Sequence, residues 1–363
     1  MRCGGHFCLG HATHTYYRER YVFWQVSCQA AVSRGLAWRA QSGLTRAHAT
    51  ADNQCLVVDV VKLRGNAVRI IAERGQPITL VALLQALDQT DHPLYEEAVR
   101  SVLHLQNQDG GFAHQRQAPS QVGLTAMVLE HLGRRSRGKV WVQRAVNWLL
   151  SQQRQDGGFS ESPLVHVPPD HPLVRHGVSC LAPTSDVIVA LVHAGAGADF
   201  RCGRALEFLL TLRRSDGTWY YWRRGRHVVD QPVCTVDLDY PLRALDAVGD
   251  AALSEAIALT VRYILAVAPW DWIQATAYLP CLLIGQAWGV LPEGQARSAV
   301  QAQLQTLEAA QCEEGGWPAT RATGARRTDP WLSAYVLRWV ARADPSARAH
   351  LIEQVRSLDV SSE

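Results

Sequence analysis

Residues 144–159 read RAVNWLLSQQRQDGGF, and residues 97–112 read EAVRSVLHLQNQDGGF. In both, the apolar positions recur at three- and four-residue spacing, as in an amphipathic helix with one buried stripe. Each helix stops at a glutamine, two variable residues, an aspartate, two glycines and a phenylalanine. Glycine supplies the positive φ that ends a helix, and the aromatic plugs the turn back onto the core. The phrase returns at residues 204–219, RALEFLLTLRRSDGTW, and at 301–317, QAQLQTLEAAQCEEGGW.

The first glycines of these turns are Gly110, Gly157, Gly217 and Gly315, at intervals of 47, 60 and 98 residues. The last interval is twice 49, which predicts a further copy between them. Residues 260–272, TVRYILAVAPWDW, fill that place, with Trp270, Asp271 and Trp272 where the acid-glycine turn belongs. Residues 31–43, AVSRGLAWRAQSG, read as a worn first copy, which makes six. A second apolar helix is expected after each, at residues 55–63, 123–132, 186–194, 239–248, 276–286 and 331–340. Periods of this size mark supersecondary units that bury a core only when stacked. The expected fold is all-α, a single (α/α)6 toroid with first helices outside and second helices inside; an open solenoid is the structural alternative. The toroid is assigned to residues 26–345, between an N-terminal extension, 1–25, and a C-terminal tail, 346–363.

Composition narrows the function. Hydrophobic residues make up 47% of the chain, enough for a substantial core, and the net charge of +3 is too small to argue for nucleic acid. Basic side chains cluster at Arg223, Arg224, Arg226 and His227, and again at Arg321, Arg326 and Arg327, which suits an anionic ligand. Nine scattered cysteines fit reduced thiols in a cytoplasmic protein. Cys3, Cys8, His11 and His14 are spaced too loosely for the usual zinc ligand pairs. No apolar run is long enough to span a bilayer. The nearest, residues 273–291, reads as a buried helix pair, with peripheral membrane contact as the alternative.

If the ring closes, the N-terminal ends of the inner helices surround one mouth, bringing helix dipoles, acids and aromatics together. Gln121, Asp186, Asp237, Asp239, Gln274 and Asp329 are the expected lead residues. Asp237 and Asp239 are two residues apart at the head of one such helix, a pairing that the other copies lack. Capping is the plain reading of any one of these acids. Two buried aspartates side by side can do more, since like charges at close range cannot both ionise easily and one keeps its proton. Tyr220, Tyr221 and Trp222 exceed what the turn at 216–219 needs and are candidates for an aromatic wall, as is Trp331.

The repeated Q-x-x-D/E-G-G-F/W turn, the paired helices and the six copies resemble the α/α-toroid superfamily of squalene–hopene and oxidosqualene cyclases, class II diterpene cyclases and protein prenyltransferase β subunits, from about residue 30 to 341. Class II cyclases carry Asp-x-Asp-Asp-Thr-Ala at the head of an inner helix, with the middle aspartate as proton donor. Repeat phase places Asp237, Leu238, Asp239 and Tyr240 on the first four positions; the fourth is tyrosine, and Pro241 and Leu242 replace the Thr-Ala. The resemblance implies that Asp239 protonates an alkene, that Asp237 orients it and that Tyr240 hydrogen-bonds the pair. It also implies a linear isoprenoid substrate held by Tyr220, Tyr221, Trp222, Asp186, Trp331 and Asp329. No cofactor is implied, or Mg²⁺ if the substrate is a diphosphate. Prenyltransferase β subunits instead carry Asp-x-Cys-Tyr for zinc; here Asp239 occupies the thiolate position and Leu332 the expected histidine, so zinc is not implied. The single toroid leaves two other readings, a subunit awaiting a second protein and a non-catalytic binding or scaffold toroid.

Overall fold

The computed structural model describes residues 62–168, 171, 173–222, 233–268, 270–318 and 328–358. Thirteen α-helices in this region are α1 (Ala67–Arg74), α2 (Pro77–Ala86), α3 (Pro93–Leu103), α4 (Val122–Leu132), α5 (Val140–Ser151), α6 (Leu181–His193), α7 (Phe200–Thr211), α8 (Asp239–Val248), α9 (Ser254–Ala266), α10 (Trp272–Ala287), α11 (Glu293–Ala309), α12 (Pro330–Ala343) and α13 (Pro345–Arg356). A two-stranded hairpin, β1 (Trp219–Tyr220) with β2 (Val233–Cys234), is the one sheet among the described residues.

The even-numbered helices form the inner ring. Each packs on the next, α2 on α4, α4 on α6, α6 on α8, α8 on α10 and α10 on α12, and α12 returns to α2. The ring is therefore closed, and the solenoid alternative falls. Inner helices are touched on both sides, and α2 is apolar nearly all round: every residue from Ile78 to Leu84 is buried. Outer helices keep a single stripe, such as Cys202, Ala205, Phe208 and Leu209 of α7.

The repeated turn is what joins one pair to the next. Gln106 donates through Nε2 to Gly110 O within its own turn and to Trp141 O in the first turn of α5, each at 2.9 Å. Gln153 does the same with Gly157 O and with Arg201 O of α7. Asp109 Oδ1 accepts from Gly111 N and from Ser120 Oγ, which fixes the turn to the lead of α4. Gly110 has φ +101° and packs so tightly that an added Cβ would lie 2.5 Å from Arg144 O of α5. The aromatic plug, Phe112, is fully buried, and its N–H donates to Thr125 Oγ1 of α4. Local sequence thus fixes both the helix end and its dock on the neighbouring pair.

The fourth turn performs the closure. Gln311 Oε1 accepts from Arg64 N (2.7 Å), and Glu314 O accepts from Asn66 N (3.2 Å), at the entrance to α1. Helix α1 therefore occupies the outer position that follows α11, and α1 with α2 is the first of six pairs. The first pair assigned from sequence differs: residues 31–43 and most of 55–63 lie outside the described residues, and Lys62 and Leu63, which are described, are not helical. The six pairs are complete between Ala67 and Ala343. Residues 346–356, assigned to a tail, belong to α13, which packs on α1 and α12 across the seam. Residues 273–291 form one inner helix and its exit, not a helix pair. Residues 275–285 are all buried, so α10 has no apolar face to offer a membrane. No described helix is long and apolar enough to cross one.

Candidate active site in the toroid lumen

Asp237 and Asp239 are 8% and 5% exposed at the head of α8. Asp237 Oδ2 accepts from the Tyr221 hydroxyl at 2.7 Å, so the hairpin holds this carboxylate. Asp239 Oδ2 accepts from the Tyr335 hydroxyl of α12 at 2.5 Å, across 96 positions of sequence. Burial first, and the Asp239 charge second, push the Tyr335 phenol well above its usual range, so it remains a donor.

Arg243, one turn after Asp239, reaches three inner helices at once. Nη1 is 3.1 Å from Glu130 of α4, Nη2 is 2.8 Å from Asp186 of α6, and Nε is 3.6 Å from Asp239. Arg338 of α12 also pairs with Glu130, at 3.1 Å. Three carboxylates thus share two guanidiniums in the lumen. Burial alone would lower the pKa of Arg243, but Glu130, Asp186 and Asp239 outweigh it and keep it charged. Burial would raise Glu130, yet Arg243 and Arg338 hold it well below the carboxylate range. His131, beside them, is pushed down to about 3 by burial and is neutral. Among these five groups the negative charges exceed the positive by one. The 3.6 Å contact of Asp239 is the longest of the three, and Arg243 Nε has no hydrogen-bond partner. The guanidinium therefore holds Asp239 least firmly.

A cavity of about 40 Å³ adjoins this layer, walled by Thr79, Met127, Asp186, Arg243, Trp331 and Tyr335, among others. Trp331 and Tyr335 stack with ring centroids 6.0 Å apart and 6° between their planes. Of the residues expected at the site, Asp186 and Trp331 line this cavity; Asp237 and Asp239 do not, and Asp239 adjoins it through its bond to Tyr335. Asp186 is not a helix cap: α6 begins five residues earlier, at Leu181, so Asp186 is one turn inside and faces the lumen. Tyr240 is buried, with the Arg243 guanidinium 5.4 Å from its ring centroid. Tyr220 lies under Arg214 and Trp222 under Arg175, away from the cavity. Asp329 caps α12, accepting from Leu332 N at 2.7 Å, and burial raises its pKa. The basic clusters at 223–227 and 321–327 and the N-terminal Cys3, Cys8, His11 and His14 lie outside the described residues. Among the described residues no group of three His, Cys, Asp or Glu side chains could hold a metal ion.

Glu130, Arg243, Tyr335 and Arg338 were not expected from the sequence. Arg243 follows Asp239 by four positions, the spacing that puts two side chains on one helix face, and that was the available signal. The other three belong to helices far away in sequence, and only ring closure brings them in.

Residues 76–160 match the family model described as the prenyltransferase α/α toroid domain, and residues 121–224 match the squalene-hopene cyclase C-terminal domain. No curated protein matches the chain in sequence. Among solved structures, the type II terpene cyclase MstE from Scytonema in its apo form is 17% identical over 74% of this chain and 88% of its own, with a TM-score of 0.50. A variant of that cyclase bound to the substrate geranylgeranyl dihydroxybenzoate is 16% identical, covering 74% of this chain and 87% of that one, with a TM-score of 0.53. A protein from Actinoplanes is 18% identical over 74% of this chain and 90% of its own, with a TM-score of 0.50. At these identities the likeness is one of fold.

Proposed function

We propose that this chain, a member of the terpenoid cyclase and prenyltransferase α/α-toroid superfamily, is a class II type cyclase in which Asp239 protonates a linear isoprenoid. The observation that supports this reading is the carboxyl at Asp239, buried at the head of an inner helix, bonded by Tyr335 and at the edge of a layer in which three carboxylates share two guanidiniums. In this reading Asp239 carries a proton at the start of each turnover and gives it to an alkene. The alkene π pair forms the new C–H bond, the proton leaves Asp239 as carboxylate, and the neighbouring carbon becomes a cation. The stacked faces of Trp331 and Tyr335 suit that cation, since the ring quadrupole presents negative charge to it. A second alkene of the same chain then closes the ring, and loss of a proton or capture of water ends the reaction. Asp237, held by Tyr221, orients the loop that leads into Asp239. Tyr240 is buried against the Arg243 guanidinium. A diphosphate substrate would bring Mg²⁺ with it.

One observation favours a second reading. The space of about 40 Å³ is well below the roughly 300 Å³ at which small-molecule pockets begin, and ion pairs fill the middle of the lumen. A toroid of this kind also serves as a binding or scaffold subunit, in which Asp237 and Asp239 hold neighbouring elements together, or as one half of a complex with a second subunit. The two readings part in one experiment. Purified protein is incubated with linear isoprenoid hydrocarbons and diphosphates, beside an Asp239→Asn control, and products are read by mass spectrometry. A cyclic or hydrated isomer that disappears in the control supports the cyclase. No product in any arm, from protein with intact helical circular dichroism, moves the assignment to the scaffold or partner-dependent readings.

A further inference from the structure

We propose that the other mouth of the toroid, where the inner helices end, binds a phosphate-class anion at a site that borders the ion-pair layer but does not include Asp239, and that does not depend on the cyclase reading. The final turns of α2, α4, α6, α8 and α12 converge there on an opening of about 770 Å³. Six arginines line it, Arg134, Arg135, Arg243, Arg338, Arg342 and Arg348, against two acids, Glu130 and Asp246.

Arginines at helix C-termini have an ordinary structural use, because free carbonyls and the dipole attract them. Four of the six have partners within the chain. Arg134 Nη2 is 2.8 Å from His193 Nε2, and Arg348 bonds Leu87 O and the Asp88 carboxylate. Arg243 and Arg338 share Glu130. Asp246 accepts from the Trp288 indole at 2.8 Å. Arg135 and Arg342 remain: both are exposed, and among the described residues neither has a carboxylate partner.

The second observation is Trp339, which lines the same opening between two guanidiniums, with Arg338 and Arg342 at 5.1 and 5.5 Å from its ring. Its side chain is buried, yet its indole N–H has no acceptor. The ring thus holds two guanidiniums at the wall of the opening. A concave surface with an excess of guanidinium favours a polyvalent anion, and the planar fork of arginine matches phosphate oxygens in pairs. A soluble diphosphate and a phospholipid headgroup share that chemistry.

The test is calorimetric titration of the full chain with inorganic pyrophosphate at low and high salt, with sedimentation on phosphatidic acid and phosphatidylcholine vesicles in parallel. An Arg135→Gln/Arg342→Gln double variant changes only exposed side chains, and its folding is checked by circular dichroism. Saturable pyrophosphate binding that weakens at least tenfold in the double variant and falls with salt supports a soluble ligand. Binding to phosphatidic acid vesicles alone, lost in the same variant, supports the lipid headgroup. An Asp239→Asn variant should bind as the parent does in either case, which separates this site from the cyclase assignment. No binding in any arm, or binding unchanged in the double variant, overturns the proposal.

Discussion

Replacing Arg243 by methionine tests the lumen most directly. The side chain keeps its length and loses its charge, leaving Glu130 and Asp186, both largely buried, without the guanidinium between them. In the parent these carboxylates are 3.1 and 2.8 Å from the guanidinium, with Asp239 at 3.6 Å. Removing one partner of a buried ion pair costs about 3–5 kcal/mol, because the charge left behind is uncompensated. Arg338 still covers one oxygen of Glu130, so the lower half of that range is expected. The pH dependence gives the reasoning a second edge. Burial opposes the Glu130 charge and the two arginines overcome it, so the folded pKa lies below the ordinary 4.5. The stability gained from that pairing is complete above pH 4.5 and is lost as pH falls through the folded pKa. In the variant the stranded carboxylates take up protons readily, so its deficit shrinks on acidification. Guanidinium denaturation of parent and variant at pH 7 and pH 4.5 measures both effects. A loss below about 1 kcal/mol at pH 7, the range of surface pairs, would refute the buried three-way contact. A deficit that grows toward acid would refute the charge assignment.

Tyr335→Phe removes the hydrogen bond to Asp239 and keeps the stack on Trp331; about 1–2 kcal/mol of stability should go, and any cyclase activity should fall with an altered pH profile. Gly110→Ala should cost about 1–3 kcal/mol, since its positive φ and the Arg144 carbonyl both oppose a Cβ. Gly138→Ala, also at positive φ but with open space around it, should cost less, and the difference in melting temperature isolates the docking contact. Burial lowers His114 to about 4 and His131 to about 3, so the unfolded chain takes up their protons first as pH drops below 6.5. Each should contribute about 2 kcal/mol of lost stability between pH 7 and pH 5, and a flat denaturation midpoint over that range would contradict their burial.

The fold was legible where chemistry is local. The glutamine, aspartate, glycines and aromatic of each turn act on one another within seven residues and on the next helix, so their recurrence reported both the unit and its stacking. The first pair was missed for the same reason in reverse. Helix α2 is apolar on every side, which erases the three- and four-residue period, and no turn phrase precedes α1. The phrase that docks α1 is at Gln311 and Glu314, at the far end of the ring.

The site divides along the same line. Asp237, Asp239 and Asp186 were visible because paired or helix-leading acids stand out in a sequence. Their roles were not, because each depends on a helix that only closure brings near: Tyr335 on Asp239, Glu130 and Asp186 on Arg243. Six parallel inner helices also give the lumen two unlike ends. The mouth where they begin carries partial positive charge and holds the aspartates; the mouth where they end carries the opposite sign and gathers arginine. Between the two, Arg243 pairs with carboxylates of its own helix and of the two preceding inner helices, and Arg338 of the last inner helix meets it at Glu130. The ion-pair layer is thus a consequence of closing a ring whose helices all point one way.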